Sequence, residues 1–217
     1  MDNPFSAWGS QIVQPYSRMR RVKQIDDVHC GPAVLQMVMT HIGIDVSQLD
    51  IDKAIHAEEY IEEYGTRPDQ LAAAVKVIAP QAQLWCKEYT STEDLVALVQ
   101  QFMYPVAVEW QNLFYDSIQE EYEDTNGHPE QQDFGHYSII SSIDPENDEI
   151  VMVDPYHTFN EEYRYFSLKW FESRWWDDNE TKDPHTGHIY AKRDRRLCFI
   201  VTMKGMPFPK LLGMRPL

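Results

Sequence analysis

The chain reads as an α+β protein in which helices come first and an antiparallel sheet follows. Two patterns carry that reading. Apolar residues spaced at three and four, the repeat of one helix face, mark 30–42, 48–63 and 66–78. Alternating or continuously apolar runs of strand length follow at 82–87, 105–110, 136–143, 149–154 and 197–201. Helices gathered ahead of strands, instead of alternating with them, argue against a doubly wound parallel sheet. A length of 217 residues suits one domain with a sizeable core.

Residues 1–21 mix Pro, Ser, Gln and aromatics without a period and read as an N-terminal arm, with Arg18, Arg20, Arg21 and Lys23 as a solvated basic run. The main domain is expected over 22–203 and a C-terminal tail over 204–217. In the first helix Val34, Leu35, Val38 and Ile42 form the apolar face, and Gly43 supplies the stop. The second carries Leu49, Ala54, Ile55, Ala57 and Ile61, with Glu58, Glu59, Glu62 and Glu63 facing water. Thr66, with Asp69 three residues on, reads as the cap of the third, which runs through Leu71 toward Ile78 and is closed by Pro80. The strand that follows turns Ala82, Leu84 and Cys86 inward, and Ser91 opens a short helix ending near Phe102.

After the core strand 105–110 the pattern breaks. Residues 111–134 hold Asp116, Glu120, Glu121, Glu123, Asp124, Glu130 and Asp133 with no Lys or Arg, and Asn126-Gly127 marks a turn. So long a connection in a compact domain reads either as a substrate-selecting lid or as a flexible insert. Strands 136–143 and 149–154 are joined by Asp144-Pro145-Glu146-Asn147-Asp148, a strong turn signal. A short strand at 163–166 precedes a capped helix at 167–176, with Trp170, Phe171 and Trp175 available for the core. Residues 177–196 read as polar and irregular. The strand 197–201 buries Cys198, and the tail, with Pro207, Pro209 and Pro216, reads as an arm outside the main core.

Composition excludes several classes. A formal charge of -16 disfavours nucleic-acid and anionic-membrane partners. No apolar run is long enough to span a bilayer, and 1–22 has no secretory apolar core. Three widely spaced cysteines form neither a disulfide framework nor a zinc pattern, which points to a reducing, cytoplasmic setting. His185 and His188 lack a third ligand at matching spacing and read as solvated, so no metal and no cofactor are expected.

The chemistry concentrates at Gln24-Ile25-Asp26-Asp27-Val28-His29-Cys30-Gly31-Pro32-Ala33. Cys30 falls on the first turn of a helix, where free backbone N–H groups and the positive dipole end favour thiolate. Pro32 is tolerated there because its missing N–H would bond nothing within the helix. Six residues upstream, Gln24 offers an amide donor of the kind an oxyanion hole uses. His29 is a poor base for Cys30, since neighbouring side chains at a helix start diverge. Asp26 and Asp27 shape the turn.

The hairpin adds an independent argument. If it is centred on Pro145 or Glu146, position 136 lies opposite 154 or 156. Direct cross-strand partners share a face with Cβ atoms about 4.5–5.5 Å apart, so His136 and Asp154 come within hydrogen-bond reach. A shift of one residue would break the pairing.

Gln24, the Cys30-Gly31-Pro32-Ala33 helix start, Gly135-His136-Tyr137-Ser138-Ile139-Ile140 and Val151-Met152-Val153-Asp154-Pro155, in that order, resemble the papain-like cysteine peptidases. Within them the resemblance is to the branch that trims double-glycine leaders from bacteriocin precursors. It spans roughly 22–202 and implies a nucleophile helix packed on a C-terminal antiparallel sheet. It further implies Cys30 as nucleophile, His136 as base, Asp154 as its orienter and Gln24 as oxyanion donor, acting on a peptide or protein substrate. That branch is usually fused to a transporter. Here no membrane segment and no GxxxxGK[ST] loop is found, so a standalone peptidase is expected without carrying over leader substrates. The alternatives are an amidase, isopeptidase or transglutaminase-like acyl transferase, or a non-catalytic peptide-binding module of the same fold.

Overall fold

The computed structural model describes residues 19–55, 65–115, 117–128, 133–182 and 188–217. The expectations for the arm before Met19, for Ala57 to Glu63, and for Asp116, Glu130 and His185 lie outside these residues. In chain order the elements begin with α1 (Cys30–His41), α2 (Gln48–Ile55) and α3 (Pro68–Ile78). Next come β1 (Ala82–Lys87), α4 (Thr92–Val96) running into a π turn (Ala97–Gln101), β2 (Val106–Gln111) and α5 (Ile118–Asp124). The meander β3 (Gly135–Asp144), β4 (Glu149–Val153) and β5 (Tyr163–Ser167) leads to α6 (Leu168–Arg174). Strands β6 (Trp176–Lys182), β7 (Ile189–Arg195) and β8 (Cys198–Met203), then α7 (Phe208–Leu211) and β9 (Arg215–Pro216), complete the chain.

Seven strands form one antiparallel sheet in the order β5-β4-β3-β2-β8-β1-β9, and β6 pairs with β7 apart from it. The sheet separates two cores. On one face Val34, Leu35 and Val38 of α1 and Leu71 and Val75 of α3 pack on Leu84, Cys86, Ile139, Phe199 and Val201. On the other, Leu95, Trp110, Phe171, Trp175, Ile200 and Phe208 come together. Each such side chain, moved out of water, contributes about 1.5–3 kcal/mol. The α+β class, with α1 packed on an antiparallel sheet, is therefore the one expected.

Local chemistry explains several boundaries. Ser91 Oγ accepts from the Asp94 N–H at 3.2 Å while Asp94 Oδ2 accepts from the Ser91 N–H at 2.9 Å, a reciprocal box that starts α4. The start of α3 differs from expectation. Arg67, not Thr66, is its N-cap, Pro68 takes the first helical position, and Gln70 Oε1 accepts the Arg67 N–H at 2.9 Å. Thr66 is buried against the start of α1 instead.

Three more expectations are corrected. The acidic insert is not uniformly loop. Ser117 caps α5, and Glu121, only 1% exposed, is held by Arg174 Nη1 and Nη2 at 2.8 and 2.7 Å. The stretch 177–196, expected to be irregular, contributes the paired strands β6 and β7, which lack apolar alternation. Asp178 faces Arg193 across the strands and accepts two of its N–H bonds, and Arg193 also stacks over Trp176. The tail joins the fold: Phe208 stacks on Phe102 with ring centroids 4.4 Å apart, and β9 adds a strand beside β1.

The β3–β4 register decides the site. Near the turn Asp144 faces Glu149 and Ile143 faces Ile150, whereas further out Ile139 faces Val153. Continued without interruption, the first register would set His136 and Asp154 on opposite faces. A bulge between Ile140 and Ser142 inserts Ser141 and restores a shared face. In the outer register position 136 falls opposite 156, and Asp154 is its diagonal neighbour.

Candidate active site

Cys30 opens α1, whose first helical bond runs from the Ala33 N–H to the His29 carbonyl at 3.0 Å. Close approach at Gly31 lets this end of the helix seat. A Cβ there would lie 3.1 Å from Thr66 Cβ and 3.5 Å from Tyr137 Cδ2. Cys30 is 8% exposed, and its thiol lies within hydrogen-bonding and coulombic reach of the His136 imidazole.

His136 Nε2 lies 2.8 Å from Asp154 Oδ1. Phe114 and Tyr156 wall the imidazole edge-on, with centroids 5.3 and 6.3 Å away. Burial disfavours the imidazolium, but the charge of Asp154 and the partnership with Cys30 outweigh it and push the His136 pKa up to about 10. Asp154 is wholly inside. Burial alone would raise its pKa, yet the His136 and Arg164 charges and the Tyr156 N–H hold it well below the usual carboxylate range.

Two residues that support this carboxylate were not legible in the sequence. Asp154 Oδ2 accepts from Arg164 Nη1 at 2.8 Å and from Asn112 Nδ2 at 3.1 Å. Arg164 Nη1 also donates to Asn112 Oδ1 at 2.7 Å, so the three form a closed ring. Asn112 lies just past a core strand, and Arg164 alternates with Tyr163 and Tyr165. Neither pattern signals a buried partner.

Gln24 is 3% exposed, and its backbone N–H donates to the Pro155 carbonyl at 2.9 Å, tying it to the segment that follows Asp154. Its Nε2 donates to the Asp26 carbonyl at 2.6 Å, and Oε1 has no partner among the described residues. A second acidic group was also missed. Glu109 and Asp177 are both buried, and Gln111 Nε2 donates to Asp177 Oδ1 at 2.7 Å. Desolvation, then neighbouring carboxylates, push both acids up. Gly135, directly before His136, admits the Asp177 carboxylate, which a Cβ at that position would overlap.

Among the described residues no group of three His, Cys, Asp or Glu could hold a metal ion, and no helix is long and apolar enough to cross a membrane. The profile of the Peptidase_C39 like family matches residues 13–182. The chain belongs to that family. Its fold is shared with the peptidase domain of Streptococcus ComA, described as a bifunctional ABC transporter involved in a quorum-sensing pathway. The two superpose with a TM-score of 0.52 at 18% identity, over 86% of this chain and 100% of that domain. No curated protein matches the sequence. Within this C39-like chain the family match covers Gln24, Cys30, His136 and Asp154, and it stops at the end of β6.

Proposed function

We propose that this C39-like protein is a cysteine peptidase acting on peptide or protein substrates. Cys30 Sγ attacks the scissile carbonyl carbon, and the C–O π pair moves onto oxygen. The Gln24 amide and the Cys30 backbone N–H receive that oxyanion. His136, ionised against the thiolate, gives its proton to the leaving amine as the C–N bond breaks. It then takes a proton from the water that hydrolyses the thioester. Asp154 holds the imidazole so that Nδ1 faces the thiol. The observation that carries the reading is His136, bound through Nε2 to a buried carboxylate on one side and partnered with Cys30 on the other. The three cysteines are free of disulfides, as thiol chemistry requires.

The test is the rate of Cys30 alkylation by iodoacetamide across the pH range, with His136→Ala as control. Fast labelling that persists below about pH 6 and is lost in the variant supports a thiolate–imidazolium pair, because histidine pairing draws a cysteine pKa far below about 8.5. Labelling that rises only near that value, in both proteins, sinks the reading. Free carboxylate product, as opposed to amine incorporation, separates peptidase from acyl transferase.

A further inference from the structure

The loop that carries Gln24 is held from α2 by two side chains one turn apart. Gln48 and Asp52, four residues apart, project from the same helix face. Gln48 grips both sides of Gln24. Its Oε1 accepts from the Ile25 N–H at 3.1 Å, and its Nε2 donates to the Lys23 carbonyl at 2.9 Å. Asp52 takes hold further along. Its Oδ2 meets His29 Nε2 at 2.7 Å, while His29 Nδ1 meets Asp26 Oδ1 at 2.5 Å.

Asp26 passes the constraint on. Its carboxylate also accepts the Val28 N–H at 3.0 Å, and its backbone carbonyl accepts Gln24 Nε2 at 2.6 Å. A carbonyl oxygen only accepts, so the nitrogen end of the Gln24 amide must face it. One amide hydrogen is thereby engaged, and the other remains for a reacting carbonyl.

His29 sits at the centre of this chain of contacts. A neutral imidazole carries one N–H, so bonds to two carboxylates call for the imidazolium. Burial opposes that charge, but the hydrogen bonds to Asp26 and Asp52 prevail and raise the His29 pKa. Both its ring nitrogens are taken by Asp26 and Asp52, which separates it from the acid–base work of His136.

We propose that His29 is a positioning residue for the oxyanion site, coupling Asp52 on α2 through Asp26 to the Gln24 amide, with Gln48 as the second anchor. This rests on the cysteine-peptidase reading above.

Two reagents isolate the effect. Iodoacetamide alkylates Cys30 by displacement and forms no oxyanion, whereas acylation by p-nitrophenyl acetate passes through one. His29→Asn retains an amide near Asp26 but is too short to reach Asp52. Its acylation rate is expected to fall about 10- to 100-fold, the scale of a small misplacement of a catalytic group, while alkylation is unchanged. Gln48→Ala is expected to behave alike, and it carries the comparison if His29→Asn does not fold. Gln24→Ala should lose about 10²–10³ in acylation, and adding His29→Asn should cost nothing more.

Equal falls in acylation and alkylation would overturn the proposal, since His29 would then serve the nucleophile or the fold. So would full additivity in the double variant, or wild-type acylation in both His29→Asn and Gln48→Ala. If Gln24→Ala itself acylates normally, the oxyanion assignment fails first, and the proposal goes with it.

Discussion

Arg164 Nη1 lies 2.8 Å from Asp154 Oδ2, the oxygen that His136 leaves open, and both side chains are almost wholly out of solvent. Asp154 is therefore a carboxylate shared between two cations. Its two oxygens accept from His136 and the Tyr156 N–H on one side, and from Arg164 and Asn112 on the other. The site is oriented by a network that reaches into β5 and the end of β2.

Breaking that pairing should be costly. Arg164→Met leaves a buried carboxylate without its second cation, a change worth about 3–5 kcal/mol. Denaturant unfolding monitored by tryptophan fluorescence should show the loss. Arg164→Lys should recover only part of it, because one ammonium cannot serve Asp154, Asn112 and the Leu113 carbonyl in the fork the guanidinium provides. A loss below about 1 kcal/mol would show that Asp154 is neutralised in some other way.

Asp154→Asn should narrow the pH profile from its alkaline side. The Asp154 charge helps raise His136 to about 10, so its removal lets the imidazole fall toward about 6.5. In the proposed mechanism His136 protonates the leaving amine, so the alkaline limb of turnover should move down. Linkage fixes the sign for stability. The depressed acid contributes above about 3.9, and its contribution is lost on acidification. The raised imidazole contributes fully below about 6.5 and loses its share as pH climbs toward 10. The alkaline decline in melting temperature should be shallower in the variant. An unmoved alkaline limb in kcat/KM would remove Asp154 from this role.

Legibility in the sequence varies with the kind of interaction. Helix α1 and the β3–β4 hairpin were legible because burial on one face imposes a period, and the turn at Asp144–Asp148 gives an approximate register. The Ser141 bulge was not legible, although it sets which face His136 shares. A bulge answers to strand twist and packing, which have no local sequence signal. Arg164 and Asn112 meet Asp154 across 10 and 42 residues of chain, and nothing local links them. The β6–β7 hairpin was hidden for a related reason. Its strands are polar and lack the apolar alternation by which strands are read, and the cross-strand pair of Asp178 with Arg193 has no local signal. The tail misled because its prolines suggested an arm, while Phe208 is buried beside Phe102 and Tyr104.

Glu109→Gln should stabilise the protein at alkaline pH. Burial and neighbouring carboxylates raise this acid, so the folded state holds its proton more tightly than the unfolded chain. Stability tied to such a group is greatest below the unfolded value of about 4.3 and falls as pH rises through the folded one. The variant removes that fall. Its melting temperature should exceed that of the wild type at pH 8 by a few degrees, where each kcal/mol is worth about 2–4 °C, and by less near pH 4. Equal shifts at both pH values would mean that packing, not ionisation, separates the two proteins.

The insert offers a test of substrate choice that leaves the fold intact. Glu121 does not belong in it, because Arg174 holds that side chain inside and also donates to the Gln111 and Asn112 carbonyls. Glu120 and Glu123 are exposed on α5, beside exposed Ile118 and Tyr122. Phe114, at the root of the insert, lies edge-on to the His136 ring with centroids 5.3 Å apart, so the insert begins beside the site. Exposed charges attract an oppositely charged ligand in a salt-dependent way, with a screening length of about 10 Å at 0.1 M. For a basic peptide, Glu120→Gln with Glu123→Gln should lower kcat/KM at low salt and flatten its decline with ionic strength, through KM with kcat unchanged. Surface changes of this kind typically move stability by no more than about 0.5 kcal/mol, so the melting temperature serves as the control. An unaltered salt dependence would mean that α5 takes no part in choosing the substrate.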